Sequence, residues 1–132
     1  DLLLPVGHRC AGMTSVALSD MAHDDWIMDH PGRPNHQLVM TSCLAAGFNP
    51  TIAHEIVEWD TGAALVHAGL GVCLIPRLAR LPAGFNIVRV PLRGDPSPSR
   101  QIRTGIRAGS SGNPLLATAL SVLAQLTPQT LN

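Results

Sequence analysis

The stretch that indicates the fold class is Ala63–Pro76, with the sequence AALVHAGLGVCLIP. Its first half has the pattern of an amphipathic helix that ends at Gly69. Its second half is a short apolar run, bounded by Gly71 and Pro76, that is typical of a buried strand. A helix that feeds a buried strand through a Gly-x-Gly corner is half of a βαβ unit, so we predict an α/β protein.

The sequence on either side of this stretch predicts further strands and helices. Gly47 is expected as a left-handed helix C-cap, and Asp60-Thr61 as the N-cap of the next helix. Ile52 and Ile56 are spaced to share one face of their strand. The predicted elements are the strand Leu2–Val6, a connector with a helical turn over Val16–Met21, the strand Asp25–Met28, a helix from about Asn35 to Ala46, the strand Thr51–Ile56, the helix Gly62–Ala68, the strand Val72–Ile75, a helical turn over Pro76–Leu81, the strands Ile87–Leu92 and Gln101–Arg107, and a helix from Asn113-Pro114 to about Leu126.

Composition narrows the class of function. Nine arginines, no lysine and nine acidic residues give a net charge of zero, which argues against nucleic-acid binding by this segment. The three cysteines are odd in number and far apart, so neither a disulfide framework nor a zinc ribbon is expected. Cys43 and Cys73 fit small core residues in a reducing compartment. The chain shows no signal peptide and no apolar run long enough to cross a bilayer.

Two predicted helix starts form a candidate ligand site. In an open α/β sheet, ligands bind beyond the carboxyl ends of the strands, where helix N-termini converge. One start follows the strand around Trp26-Ile27, at Pro34-Asn35-His36, and the other is Trp59-Asp60-Thr61. Free backbone N–H groups there favour anions, and side chains of Asn35, His36 and Thr61 can add hydrogen bonds. Asp60 acts in the opposite sense, because as an N-cap it would occupy donors and repel an anion.

A structural explanation of the same residues stays open. By residue type alone, Asn35 and Thr61 favour helix capping over ligand contact, His36 a surface or capping role, and Trp59 a packing role. Both explanations hold together where helix caps line a cleft.

Other chemistries have less support in the sequence. The histidines at 23, 30 and 36 do not have the His-x-x-x-His spacing of a metal site, so no metal is expected. The Gly69-x-Gly71 corner precedes a strand and does not follow one, which argues against a dinucleotide fingerprint. No nucleophile lies in a Gly-x-Ser-x-Gly elbow, and we expect neither catalytic residues nor a cofactor.

Several segments, taken in order across nearly the whole chain, resemble the effector-binding domain of LysR-type transcriptional regulators. Ala64–Pro76 is similar to that family's most specific stretch, ALVAAGLGVALIP. The other matching segments are Leu4–Ala11 (the P-x-x-H-x-L-A turn, with Cys10 in place of an aliphatic residue), Val16–Ile27 (V-x-L-x-D-L-A-x-x-x-W-I), Ala45–Pro50 (A-G-F-x-P), Arg100–Arg107 (the returning strand) and the Asn113-Pro114 helix.

The resemblance implies a Rossmann-like lobe of a type-2 periplasmic-binding-protein-like domain. Such a domain binds a small, often anionic metabolite between two lobes and so regulates transcription. Residues 12–92 would form the second lobe, and residues 1–11 and 93–132 the hinge and the returning elements of the first. The family pattern implies effector contacts from Arg33, Pro34, Asn35, His36, Trp59, Asp60 and Thr61, and a hinge near Pro5, Gly7 and His8. Asp60 and the bulky Trp59 depart from that pattern and disfavour a simple carboxylate effector.

The same resemblance implies the partners. DNA would be bound only through an N-terminal winged helix-turn-helix outside this chain, and the regulator would be a cytoplasmic homodimer or homotetramer with no membrane contact. The chain, which begins at Asp1 without an initiator Met, is therefore expected to be a fragment that lacks this domain and most of the first lobe.

Two other interpretations stay open. One is a lobe of a periplasmic solute-binding protein of related fold, which the unpaired cysteines and the missing signal peptide disfavour. The other is a small α/β enzyme, which would need a nucleophile or a paired acid and base in the cleft, and none stands out.

Overall fold

The computed structural model describes residues 1–94 and 97–131, with side chains described as far as residue 127. The chain divides into two compact units, Asp1–Pro98 and Ser99–Asn132. The first unit contains β1 (Leu2–Pro5), β2 (Val16–Ala17), a 3-10 turn (Leu18–Met21), β3 (Asp25–Asp29), α1 (Pro34–Ala45), β4 (Thr51–Ile56), α2 (Trp59–His67), β5 (Cys73–Leu74), β6 (Ile87–Val90) and β7 (Leu92–Arg93), and the second unit contains α3 (Pro114–Leu131). The alternation β3-α1-β4-α2-β5 confirms the predicted α/β class.

Five strands of the first unit follow one another in the order β4-β3-β5-β1-β6, as a two-stranded sheet (β4-β3) and a three-stranded sheet (β5-β1-β6) that one bridge joins into a mixed arrangement. β3 and β4 pair in parallel over their full lengths. A parallel bridge between Trp26 and Val72 connects β3 to the segment that leads into β5. β1 lies antiparallel between β5 and β6. The carboxyl ends of β3, β4 and β5 therefore lie at the same edge of the sheet.

Successive residues of a strand point to opposite sides of the sheet, so the buried apolar residues of these strands lie on both faces. α1 packs Val39 and Cys43 on one face, and α2 packs Ala63 and Val66 on the other. The buried residues in the strands or directly beside β5 are Leu2, Leu4, Trp26, Met28, Val72, Leu74 and Val90 on the α1 face, and Leu3, Ile27, Ile56, Cys73 and Ile75 on the α2 face. A sheet covered on both faces explains why β1 and the centre of β3, Trp26–Met28, are continuous buried apolar runs.

The helix–corner–strand prediction for residues 63–76 is confirmed. α2 ends at His67, Gly69 follows with φ +75°, and Gly71 has φ +145°. Gly47 closes α1 with φ +89°, as predicted. Phe48 folds back on that helix, since its N–H donates to Cys43 O at 3.1 Å.

The prediction that Ile52 and Ile56 share a face is wrong. The register shifts within the β3–β4 ladder, where Trp26 lies opposite Ile52 but Ile27 lies opposite His54. This bulge inserts one extra residue into β4 and reverses its alternation. Ile56 is consequently buried at 3% exposure, whereas Ile52 is 38% exposed.

Two other strand predictions need correction. The predicted strand Ile87–Leu92 is divided at Pro91, which has no N–H for a ladder, so that β6 pairs with β1 and β7 with β2. Gln101–Arg107 alternates like a strand but forms none. A strand requires a hydrogen-bonded neighbour, and no described residue supplies one to this segment.

The second unit consists mainly of α3. Pro114 occupies its first position, and Asn113 Oδ1 accepts the Leu115 N–H at 2.9 Å, which confirms the predicted helix start. The helix extends to Leu131, beyond the predicted end near Leu126. Among the helices described, none combines the length and the apolar character that crossing a membrane requires.

Candidate functional site

The carboxyl ends of β3 and β4 bring the two predicted helix starts to one edge. Asp29 and Ile56 are opposite each other at the ends of the ladder, and the His30 N–H donates to Ile56 O at 3.1 Å. After β3 the chain enters α1 on one face of the sheet, and after β4 it enters α2 on the other face. Adjacent connections that leave to opposite faces open a crevice at the strand ends, and such crevices bind ligands in α/β sheets.

The start of α1 leaves backbone donors unused. Arg33 is its N-cap in extended conformation, and the first helical bond runs from Gln37 N–H to Arg33 O at 3.2 Å. Pro34 has no N–H, and the N–H groups of Asn35 and His36 have no partner among the described residues. Neither the Asn35 nor the His36 side chain caps the helix, so the capping explanation of Asn35 is wrong.

Asn35 is a buried polar side chain without a hydrogen bond. Only 7% of the residue is exposed, and none of the described residues pairs with its amide. No fully enclosed side-chain nitrogen or oxygen in the described part of the chain lacks a partner, so solvent still reaches this amide. Asn35 lies in the first turn of α1, which follows the end of β3.

Arg33 is held in place by a carboxylate that the sequence reasoning missed. Its Nε lies 2.8 Å from Asp29 Oδ1, and the Asp29 side chain is only 5% exposed. The same oxygen accepts the His30 N–H at 2.9 Å. The two terminal amino groups of Arg33 have no partner among the described residues, so they can receive a second anion in a fork geometry. The signal in the sequence was an aspartate that ends an apolar strand, four residues before the arginine.

The start of α2 differs from the prediction. The helix begins at Trp59, and Glu58 is the N-cap with extended backbone (φ −116°, ψ 142°) and no side-chain capping bond. The predicted Asp60-Thr61 cap is therefore wrong, because both residues already lie in the first turn, where they are exposed. Asp60 consequently occupies no backbone donor. Trp59 packs against the apolar α2 face of the sheet, as its structural explanation predicts.

The predicted hinge residues form a turn that hydrogen bonds join to the loop at Asp24. Pro5 ends β1, and Gly7 and His8 lie in the turn that follows it. The His8 Nδ1 accepts the Cys10 N–H at 3.2 Å, and its Nε2 lies 3.2 Å from Asp24 Oδ1. Arg9 donates to both oxygens of Asp24 at 2.7 Å. The hinge role itself stays a prediction.

The Asp24 carboxylate has a lowered pKa, chiefly because Arg9 donates to it and further because His8 does. Its contribution to stability is therefore complete above the ordinary aspartate value of 3.8 and is lost as the pH falls through the lower folded value. We expect Asp24→Asn to cost about 1 kcal/mol at pH 7 and to flatten the loss of stability between pH 5 and 2. Urea unfolding at several pH values measures this; a slope equal to wild type contradicts it. Asp25→Asn, an exposed carboxyl without an ion pair, controls for charge removal.

Comparison with known proteins points to one family. A family model described as the LysR substrate binding domain matches residues 1–127. The uncharacterised transcriptional regulator YwbI of Bacillus subtilis is 32% identical over 75 residues, which are 57% of this chain. The matched region covers 25% of that relative's length, so the chain spans only part of such a regulator.

Solved structures agree with this family. The C-terminal domain of a probable LysR-family regulator from Rhodococcus sp. RHA1 is similar with a TM-score of 0.62 and 30% identity, over 74% of this chain and 49% of that one. The effector-binding domain of BenM, solved with its effector benzoate, is similar with a TM-score of 0.60 and 26% identity, over 72% of this chain and 45% of that one.

Proposed function

Since this chain belongs to the LysR substrate-binding domain family, the effector-binding part of transcriptional regulators, we propose that it binds a small carboxylate-bearing effector at the carboxyl edge of β3 and β4. The observation that carries the proposal is the start of α1. There the free amino groups of Arg33, the free N–H groups of Asn35 and His36, and the buried Asn35 amide are all unused donors.

These donors suit a carboxylate for two physical reasons. The N-terminus of a helix carries partial positive charge, which stabilises an anion beside its first turn. Asp29 fixes the Arg33 guanidinium before any ligand arrives, so less side-chain entropy is lost on binding. BenM, whose effector is the carboxylate benzoate, supports the assignment of this ligand class.

In the complete regulator, the effector would act by shifting a conformational population. A ligand that contacts two lobes favours the arrangement in which both contacts are made. The change in lobe arrangement would reorient DNA-binding domains outside this chain. Action in the cytoplasm, assembly as a homodimer or homotetramer, and the boundary of the second lobe at residues 12–92 stay predictions of the same proposal.

Arg33→Gln tests the assignment of the site. Loss of a charged donor to a carboxylate costs about 1.5–3 kcal/mol, so we expect binding of a carboxylate to weaken about 10- to 150-fold. Isothermal titration of the complete regulator with benzoate and a panel of other small carboxylates measures the change. Arg100→Gln, at an exposed arginine of the second unit without a described partner, is the matched control. Equal affinity of Arg33→Gln and wild type would place the ligand elsewhere.

A further inference from the structure

We infer that the effector is a dicarboxylate, and that Arg77, in the loop after β5, binds its second carboxylate. The inference rests on the proposed function, because Arg33 would bind the first carboxylate at the end of β3. A parallel bridge between Trp26 and Val72 connects β3 to the segment that leads into β5, so both arginines follow strands that end at the same edge.

Arg77 is held by a buried aspartate in the same way as Arg33. The Arg77 Nε lies 3.2 Å from Asp1 Oδ1, and the Asp1 side chain is only 6% exposed. The Arg33 Nε lies 2.8 Å from Oδ1 of the equally buried Asp29. The two terminal amino groups of Arg77, like those of Arg33, have no partner among the described residues. Each guanidinium is therefore fixed in direction and can still bind a carboxylate through two parallel hydrogen bonds.

The two aspartates lie on the same face of the sheet, on either side of β5. Asp29 is two residues after Ile27, Asp1 is two residues before Leu3, and both of these apolar residues lie on the α2 face. Asp1 and Ile75 exchange both backbone hydrogen bonds at 3.0 Å, so Asp1 lies beside the end of β5. Neighbouring strands are about 4.8 Å apart, which places the backbones of the two aspartates about 10 Å apart.

The buried Cys73 thiol of β5 is close to both aspartates. Burial is the chief cause of its raised pKa, Asp29 raises the pKa further, and the Asp1 amino group opposes the rise. Effects from both residues on one thiol require that both lie near it. The arginines that these aspartates hold are therefore close enough for one small molecule to reach both.

The end of β5 also has more positive than negative charge. Arg89 Nη1 lies 4.0 Å from the Asp1 carboxylate, so this one carboxylate is shared by two guanidinium groups. The pKa of Arg89 is lowered, first by partial burial and further by the positive charge of Arg77. Arg89 also donates to Arg77 O at 2.6 Å and to Ala79 O at 2.7 Å, which holds the loop against β6. A second carboxylate on the ligand would balance the excess charge, whereas a carboxylate at Arg33 alone would not.

Matched monoacids and diacids test the inference. Unbranched pairs of equal chain length, from butanoate and succinate to octanoate and suberate, are titrated into the complete regulator by calorimetry. We expect at least one diacid to bind about tenfold or more tightly than its monoacid, because a second arginine then contributes. Arg77→Gln should reduce this preference to less than about twofold, whereas Arg33→Gln should weaken the binding of both members. Arg80→Gln removes an exposed arginine of the same loop that makes no described contact, and it should keep the full preference.

A double variant separates ligand binding from a folding defect. Arg77→Gln alone removes the nearer partner of the buried Asp1 carboxylate, which costs stability. The double variant Asp1→Asn, Arg77→Gln removes both members of the pair and should lose the preference as well. Thermal unfolding shows whether each variant is folded.

The outcomes separate this inference from the proposed function. Diacids that bind no more tightly than their monoacids overturn the role of Arg77 and leave the carboxylate site at Arg33 intact. A preference that survives in Arg77→Gln or in the double variant also overturns that role. Monoacids whose binding depends on Arg77 but not on Arg33 overturn both proposals. Absence of binding by every diacid overturns the inference, and the titration of monocarboxylates into Arg33→Gln then decides the proposed function.

Discussion

Replacing Gly71 by alanine is expected to destabilise the protein by about 4 kcal/mol. Gly71 has φ +145°, which L side chains rarely adopt. A Cβ atom there would lie 2.5 Å from Asp25 O, a backbone atom that cannot rotate away. That oxygen accepts the Val72 N–H at 2.8 Å, in the bridge that connects β3 to β5. A shift of the backbone that relieves this clash therefore breaks the hydrogen bond from Val72 N–H to Asp25 O, which helps to connect β3 with β5.

Gly69→Ala is the matched control for this substitution. Gly69 lies two residues earlier with φ +75°, and open space surrounds the position of its missing Cβ. Only the backbone penalty remains, so we expect a loss of about 1 kcal/mol. Urea unfolding of both variants, followed by the fluorescence of Trp26 and Trp59, compares the two midpoints. Similar midpoints would show that the approach of Gly71 to Asp25 is not tight.

Alkylation of Cys43 and Cys73 in the folded protein is expected to be about 1000-fold slower than that of an ordinary exposed cysteine. Burial raises the pKa of both thiols from 9.0 to about 12. The reactive thiolate is correspondingly scarce near pH 8, and the packed side chains around it exclude the reagent as well. Cys43 lies on the α1 face of the sheet and Cys73 on the α2 face, so the two rates examine the two faces independently.

Iodoacetamide labelling with mass spectrometry of the separate peptides measures these rates. Ser19→Cys places a thiol at an exposed position and supplies the reference rate within the folded protein. Unfolding in urea should bring Cys43 and Cys73 to that rate. If either cysteine reacts as fast as the reference before unfolding, the corresponding face of the sheet is open.

The parts of the fold that could be predicted from sequence are those encoded by local pattern. Ala63–Pro76 contains its own helix period, glycine corner and apolar run, and the structure confirms each of them. Errors arose where a distant partner decides the outcome. Ile52 faces outward because of a bulge against β3, and the alternation of Gln101–Arg107 has no described strand beside it. The position of β1 between β5 and β6 is likewise set by contacts far apart in sequence.

The candidate site shows the same division. The sequence places both helix starts after strands, and the parallel β3–β4 ladder brings them to one edge. It does not reveal which donors are already used. The Arg33 Nε already pairs with Asp29, although an arginine at a helix start suggests a side chain free for a ligand. Asp60 does not cap its helix, although aspartate is a favoured N-cap residue. Such pairings depend on side-chain directions that the order of residues leaves undetermined.

The central position of β1 also has a consequence for how the chain folds during synthesis. Leu2 pairs with Leu74 and with Val90, so β1 waits after its synthesis for partners 72 and 88 residues later. At about 5–20 residues per second, this wait lasts several seconds. Throughout it, the apolar segment Leu2–Leu4 lacks both of these strand partners, which favours association with other nascent chains. Substitutions that delay closure of the β5–β1–β6 sheet should therefore lower the yield of soluble protein more than their effect on equilibrium stability implies.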